Sequence, residues 1–141
     1  MFALKYHQVA YATTDAIGFD ISSDEDTVIN PGKWAAVSTG LFVDIEANKL
    51  LLGAGLLPEL QIRPRSGLAF KYGVTVLNTP GTIDPQFPNE IKVILINHGD
   101  ALFYIQRGDR IAQGVVALAL RANGVEQKQD VRIGGLGSTG K

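Results

Sequence analysis

Residues 91–96 read Ile-Lys-Val-Ile-Leu-Ile, and this stretch decides the fold class. In a β-strand, side chains 91, 93 and 95 would share one face, and side chains 92, 94 and 96 would share the other. Lys92 is the one polar residue among the six, so both faces are largely apolar. A strand with two apolar faces is typical of a position between two layers or at a contact between subunits.

Similar short runs lie on both sides of this strand and stop at turn signals. Thr27-Val28-Ile29 ends at Asn30-Pro31-Gly32, and residues 74–77 end at Asn78-Thr79-Pro80-Gly81. Leu41, Val43 and Ile45 alternate with Phe42, Asp44 and Glu46, which predicts a strand over residues 41–46. The turn at residues 107–110 leads into a long apolar run. Many short strands with frequent turns predict an all-β sandwich or barrel. The only helix that the spacing predicts is Glu46 to Leu52.

Composition excludes several classes of protein. The 141 residues suit one domain, and the 45% hydrophobic content argues against disorder. A net charge of -1 disfavours nonspecific nucleic-acid binding, and the lack of cysteine removes disulfides and thiolate sites. We see no apolar run near the ~20 residues of a membrane span, and no signal peptide. We therefore expect no nucleic-acid or membrane partner, and a cytoplasmic location (the host cytoplasm if the protein is viral).

Three polar positions are candidates for chemistry, and each has a simpler structural interpretation. Pro64-Arg65-Ser66-Gly67 places a guanidinium beside a hydroxyl, which suits phosphate, but these four residues alone favour an ordinary surface turn. Asp84 follows a tight turn and precedes proline, so it is a general base or a turn residue. Asp20 lies between apolar neighbours, where an acid either stabilises the fold or assists a cation.

The C-terminal segment differs from the rest of the chain. Residues 134–141 contain four glycines and one large apolar residue, Leu136. We expect a β domain over residues 1–133 and a flexible tail over residues 134–141. The backbone N–H groups of such a tail, together with the Ser138 and Thr139 hydroxyls, suit the binding of a phosphate chain.

Taken together, five blocks in order resemble the motifs of the homotrimeric dUTPase family (deoxyuridine 5'-triphosphate nucleotidohydrolases). The second and fourth blocks are intact P-R-S-G-L-A and G-D-R-I-A-Q motifs, and a V-x-T-G-L motif lies between the first two blocks. The match spans residues 16–140. The five blocks are residues 16–21, 64–69, 78–87, 108–113 and 134–140.

The resemblance implies a jelly-roll-like β-barrel or sandwich subunit that forms a homotrimer with shared active sites. Family members hydrolyse dUTP to dUMP and pyrophosphate with Mg²⁺ as cofactor. By resemblance, Asp84 would activate the attacking water, and Asp20 would support the Mg²⁺ through water. The tail would close over the nucleotide. The substrate-binding residues would be Arg65, Ser66, Gly67, Asn78, Gly81, Thr82, Ile83, Phe87, Gln113, Arg132, Leu136, Gly137, Ser138 and Thr139.

The chain departs from the family pattern at four places. Phe87 replaces a tyrosine, which keeps the ring against deoxyribose, and Leu136 replaces a phenylalanine that stacks on uracil. Arg132 lies two residues before the first glycine of the last block instead of three. The very apolar segment 47–60 is longer than the usual connection, and it is interpreted as cover for the barrel, a trimer contact, or a docking site for a protein partner.

Two other functions compete with the hydrolase. One is a regulatory, partner-binding protein on the same scaffold, and the other is an enzyme related to dCTP deaminases, which share the fold. Intact Asp84, Arg65, Ser66 and Gln113 favour retained catalysis, and the third and fifth blocks favour the dUTPase.

Overall fold

The computed structural model describes residues 2–5, 9–48, 56–126 and 136. The described residues form ten strands and two short helices. The helices are α1 (Ile45–Asn48) and α2 (Ser66–Tyr72). The strands are β1 (Leu4–Lys5), β2 (Phe19–Ser22), β3 (Thr27–Ile29), β4 (Trp34–Val43), β5 (Leu56–Arg63), β6 (Val74–Val76), β7 (Gly81–Ile83), β8 (Glu90–Asn97), β9 (Phe103–Ile105) and β10 (Arg110–Leu120).

The strands form two four-stranded sheets and one two-stranded sheet. Their orders are β1-β4-β8-β6, β2-β10-β5-β7 and β3-β9, and every pairing is antiparallel. Non-consecutive strands are therefore neighbours throughout. Buried side chains from all three sheets form one hydrophobic core. The predicted all-β, jelly-roll-like fold is confirmed.

The strand that decided the fold class lies inside its sheet, between β4 and β6. Ile91, Val93 and Leu95 are buried in the core, as the alternation predicted. On the opposite face Ile96 is also buried, whereas Lys92 is exposed. Both faces of β8 are therefore covered at its C-terminal end.

The strand predicted over residues 41–46 ends at Val43, so the prediction is wrong for residues 44–46, of which Ile45 and Glu46 belong to α1. Asp44 accepts a hydrogen bond from the Ala47 backbone N–H at its Oδ1 (3.2 Å) and so caps the first turn of α1. The predicted helix over residues 46–52 is confirmed for residues 46–48, which belong to α1. Residues 49–52 lie outside the described part of the chain.

The sequence predicted a turn at Pro64-Arg65-Ser66-Gly67, and this prediction is wrong. The segment begins a helix of seven residues that ends at Gly73, whose φ of 67° is left-handed. Leu68 packs half-buried against the core and no side chain of α2 is fully buried, so the helix is too short and too exposed to show a clear apolar stripe. The signal that could have found α2 is the glycine at its C-terminal end.

The apolar segment 47–60 is not a single connection. Residues 56–60 belong to β5, where Pro58 and Leu60 are buried, and Ala47 and Asn48 belong to α1. Residues 49–55 lie outside the described residues. Across the described ranges, no helix has the length and apolar character needed to cross a membrane.

Candidate functional site

A cleft of about 460 Å³ lies where β2, β10 and the start of α2 meet. It brings together Asp20, Arg65, Ser66, Gly67 and Gln113, five of the predicted site residues. These residues come from three of the blocks that carried the family resemblance. The other lining residues are Ala12, Ala16, Ile17, Gly18 and Arg110.

Strand register explains why distant blocks meet in this cleft. In the β2–β10 pairing Asp20 lies opposite Gln113, and in the β10–β5 pairing Gln113 lies opposite Arg63. Strand β5 ends at Arg63, and two residues later Arg65 immediately precedes α2. The cleft is therefore built at one level of the sheet, across three neighbouring strands.

The charges in the cleft are one carboxylate and two guanidinium groups. Asp20 Oδ1 lies 3.5 Å from Arg65 Nε, and its Oδ2 accepts a hydrogen bond from Arg110 Nη1 at 3.2 Å. Arg65 Nη1 also donates to the Arg110 carbonyl oxygen at 2.8 Å. The three side chains give the cleft a net charge of +1, which suits an anionic ligand.

Arg110 is a residue of the cleft that was not among the predicted site residues, although it lies in the fourth block. Its side chain is 58% exposed and lines the cleft beside Ser66. The signal that could have identified it is its place in an intact motif, three residues before Gln113.

Gly18 lets Gln113 enter the cleft. A Cβ added at Gly18 would lie 2.7 Å from Gln113 Oε1, so any side chain there would displace the amide.

The loop before Gly18 carries a local polar contact, in which Thr13 Oγ1 donates to Asp15 Oδ1 at 2.8 Å. This hydrogen bond holds the pKa of the Asp15 carboxyl below its usual range.

The third block forms a separate group at the other edge of the sheet. Asn78 lies in the exposed turn before β7, where the Thr79–Pro80 peptide bond is cis. Gly81 and Ile83 are buried in β7, and Thr82 between them is exposed. Asp84 is half-buried and follows β7 directly, and its carbonyl oxygen accepts from the Phe87 N–H at 3.1 Å.

Phe87 packs against the core and is only partly buried. The contact of Phe87 with deoxyribose stays a prediction.

Asp20 and Asp84 lie far apart within one chain. Strands β2 and β7 are the two edges of the sheet, three interstrand spacings or about 14 Å apart. Ile83 pairs with Leu60, which lies three residues along β5 from Arg63 at the level of the cleft. That offset adds about 10 Å along the strands. The carboxylate of the cleft and the carboxylate that follows β7 therefore belong to opposite edges of the sheet.

The chain matches the dUTPase family model over residues 5–140. It belongs to the dUTPase family. A deoxyuridine 5'-triphosphate nucleotidohydrolase from Nautilia profundicola is 50% identical over 136 residues, which cover 94% of this chain and 89% of that protein. A protein of the same name from Clostridium tetani is 47% identical over 135 residues, covering 93% and 87%. The predicted family and the class of hydrolase are confirmed.

A solved dUTPase confirms the fold independently. The crystal structure of the enzyme from Streptococcus mutans has a TM-score of 0.69 and 27% sequence identity. The comparison covers 87% of this chain and 98% of that one. The jelly-roll-like arrangement of this dUTPase is therefore shared with an experimentally determined relative.

The carboxylate chemistry of the cleft fits a magnesium–triphosphate complex. No group of three His, Cys, Asp or Glu side chains within the described ranges could hold a metal ion. Mg²⁺ commonly keeps several waters and binds through one or two carboxylates plus substrate phosphates. Asp20 supplies one carboxylate in the cleft of this dUTPase, which suits a contact made through water.

Most of the C-terminal residues predicted to bind substrate lie outside the described residues. These are Arg132, which precedes the tail, and Gly137, Ser138 and Thr139 within it. Leu136 is described and is 60% exposed. The closing of residues 134–141 over the nucleotide therefore stays a prediction.

Proposed function

We propose that this chain hydrolyses dUTP to dUMP and pyrophosphate, with Mg²⁺ bound to the triphosphate and a water activated by Asp84. The observation that carries the proposal is the cleft that gathers Arg65, Ser66 and Gln113 around Asp20. Cleavage of a triphosphate depends mainly on positioning and on neutralising charge. The cleft provides both, since it places two cations and two neutral polar side chains around one cavity.

Side chains at the start of α2 and in β10 would bind the phosphates. The Arg65 guanidinium has several N–H donors beyond those that face Asp20 and the Arg110 carbonyl, so it can still bind phosphate oxygens. The Ser66 hydroxyl and the Gln113 amide add neutral donors. Gly67 adds a backbone N–H in the first turn of α2. Mg²⁺ would be held by the triphosphate and by Asp20 through water, and it would neutralise phosphate charge.

Asp84 is the proposed base. Its carboxylate takes a proton from water as the oxygen attacks phosphorus, and the P–O bond between the α- and β-phosphates breaks. Pyrophosphate leaves with the electron pair of that bond. The turn from Asp84 to Phe87 holds the carboxylate next to the proposed nucleoside site at Asn78, Gly81, Thr82 and Ile83.

The separation of Asp20 and Asp84 at opposite edges of the sheet supports an active site shared between copies of the chain. We propose the homotrimer that the family resemblance predicts, in which Asp84 of one copy would face the cleft of another. Exposed apolar side chains support the same assembly, since they need cover. Phe70 is 92% exposed, Leu120 84%, Leu118 69% and Tyr104 68%.

The tail, a protein partner and the location of the protein remain predictions. Residues 134–141 are proposed to close over the nucleotide, with Leu136 as apolar cover, and Arg132 as a phosphate contact. A protein partner at segment 47–60 is a second candidate role, and its apolar leucines support it. The cytoplasmic location stays a prediction. The names of the relatives favour hydrolysis over the deaminase alternative.

The decisive experiment incubates the full chain with Mg²⁺ and dUTP, dCTP, dTTP or UTP and measures pyrophosphate. We expect release from dUTP and far less from the other three. Equal turnover of dUTP and dTTP would contradict the specificity. Formation of a uracil nucleotide from dCTP would instead identify a deaminase.

A further inference from the structure

Asn48 is a fully buried amide at the end of α1, outside the blocks of the family resemblance. All its bonding groups are used. Its Oδ1 accepts the Ala3 N–H at 2.8 Å, and its Nδ2 donates to the Ala3 carbonyl at 3.2 Å. The same Nδ2 donates to the Pro85 carbonyl at 3.4 Å.

These three bonds connect segments that are far apart in sequence. Ala3 is 45 residues from Asn48, and Pro85 is 37 residues from it. Pro85 is buried and follows Asp84 directly. The Asn48 amide therefore holds the backbone one residue beyond the proposed base.

The Asp84 turn lies just beyond the edge of the sheet. Strand β7 is three residues long and, among the described residues, pairs with β5. The last pair before Asp84 is Ile83 with Leu60. Beyond that pair, the bond from Asn48 to Pro85 ties the turn to α1, in addition to the bond within the turn from the Phe87 N–H to the Asp84 carbonyl.

We propose that Asn48 is a positioning residue for catalysis, which holds the Asp84 carboxylate in place by binding the Pro85 carbonyl. The inference rests on the proposed role of Asp84 as the base. A general base must lie within hydrogen-bond reach of its water, and displacement by about 1 Å can cost about 10²-fold in rate. Asn48 does not line the cleft that holds Arg65, Ser66 and Gln113, so its loss should lower kcat by a larger factor than it raises KM.

Asn97 offers a matched control. It is also buried, and its amide likewise accepts one backbone N–H, from Gly99 at 2.9 Å. It donates to two carbonyls, those of Ile29 at 2.9 Å and Ala101 at 2.8 Å. Asn48→Ala and Asn97→Ala each remove three comparable bonds, but only the first removes a bond next to Asp84.

The test measures kcat, KM and thermal unfolding for both variants of the full chain, with rates normalised to the folded fraction. We expect Asn48→Ala to lower kcat by about 10- to 100-fold with KM changed less than about threefold. Asn97→Ala should lose similar thermal stability and keep its kcat. If Asn48→Ala does not fold, Asn48→Ser is measured in its place, because the shorter hydroxyl still cannot reach Pro85. Equal kcat in the Asn48 and Asn97 variants would overturn the proposal.

A double-mutant cycle separates positioning from a general structural role. In an Asp84→Asn background there is no base to position, so Asn48→Ala should change the residual kcat by less than about twofold. The same fold-loss in both backgrounds would show that Asn48 acts independently of Asp84. If Asp84→Asn alone keeps most of the activity, the proposed base is wrong, and that result is distinct from a failure at Asn48.

Discussion

Asp20→Asn changes the charge of the phosphate cleft while keeping the size of the side chain. In the native cleft one carboxylate faces two guanidinium groups, at 3.5 Å and 3.2 Å, so the three charges sum to +1. The variant raises that sum to +2. Because Asp20 is 26% exposed, each pair contributes only about 0.2–1 kcal/mol to stability. We expect the variant to fold, with at most about 2 kcal/mol less free energy of unfolding.

The larger effect should be on nucleotide binding. A unit charge about 4 Å from a phosphate oxygen contributes about 1 kcal/mol at the dielectric constant of water, which corresponds to roughly fivefold in Kd. Without metal, Asp20→Asn should therefore bind a non-hydrolysable dUTP analogue about fivefold more tightly. With Mg²⁺ the variant should turn over dUTP more slowly than the native chain, because it lacks the carboxylate proposed to support the cation through water.

Isothermal titration with the analogue in EDTA, at low and high salt, measures the change in Kd, and pyrophosphate release from dUTP in Mg²⁺ measures the change in kcat. The gain in EDTA should shrink at high salt, since exposed charges are screened. Asp24→Asn is the matched control, because Asp24 pairs with Arg107 at 3.6 Å outside the cleft. Its Kd values should equal those of the native chain. Weaker binding of Asp20→Asn in EDTA would refute the reasoning, since it would mean that Asp20 serves mainly to orient Arg65.

Four further predictions concern the base, the assembly, the tail and the sheet. Asp84→Asn should fold normally and lose about 10²–10⁴-fold in kcat, and a variant with more than roughly a tenth of the native rate would exclude Asp84 as the base. Light scattering at micromolar concentration should give three times the subunit mass, whereas a monomer would contradict the shared site. A chain ending at Arg132 should stay trimeric and lose most turnover, and unchanged turnover would contradict the lid role of the tail. Leu136→Phe should tighten binding of the dUTP analogue by adding stacking, worth ~1–3 kcal/mol per base elsewhere. Weaker binding by that variant would contradict the contact of residue 136 with uracil. Gly114→Ala should lower the free energy of unfolding by about 1–3 kcal/mol in a denaturant titration, because its Cβ would overlap the Phe19 ring; native stability would show that the ring can move aside.

Local patterns were enough to predict several of the strands, because period-two alternation and turn residues act over a few neighbouring positions. Thr27–Ile29 is a strand as predicted, and residues 91, 93 and 95 face the core. Local patterns did not reveal β5, whose first residues were assigned to an apolar insertion, or α2. A seven-residue helix with one side chain half-buried against the core has too little periodicity to be recognised from spacing.

The blocks in the sequence named the residues of the phosphate cleft, but their meeting depends on strand register. Asp20 and Gln113 are far apart in the chain and come together because β2 pairs with β10. The ion pairs of Asp20 with Arg65 and Arg110 follow from that pairing, and no local pattern predicts which of two arginines a carboxylate will face.

By itself, the sequence determined the all-β class, the family and the identity of the candidate site residues, since these depend on alternation, turns and motif order. Only the tertiary structure decided that Asp84 lies at the opposite edge of the sheet from the cleft, and that Asn48 binds the backbone beside it. Both results depend on contacts between segments tens of residues apart. Such contacts depend on how the sheets pair and pack, and the sequence around Asn48 does not indicate which distant backbone groups its side chain will bind.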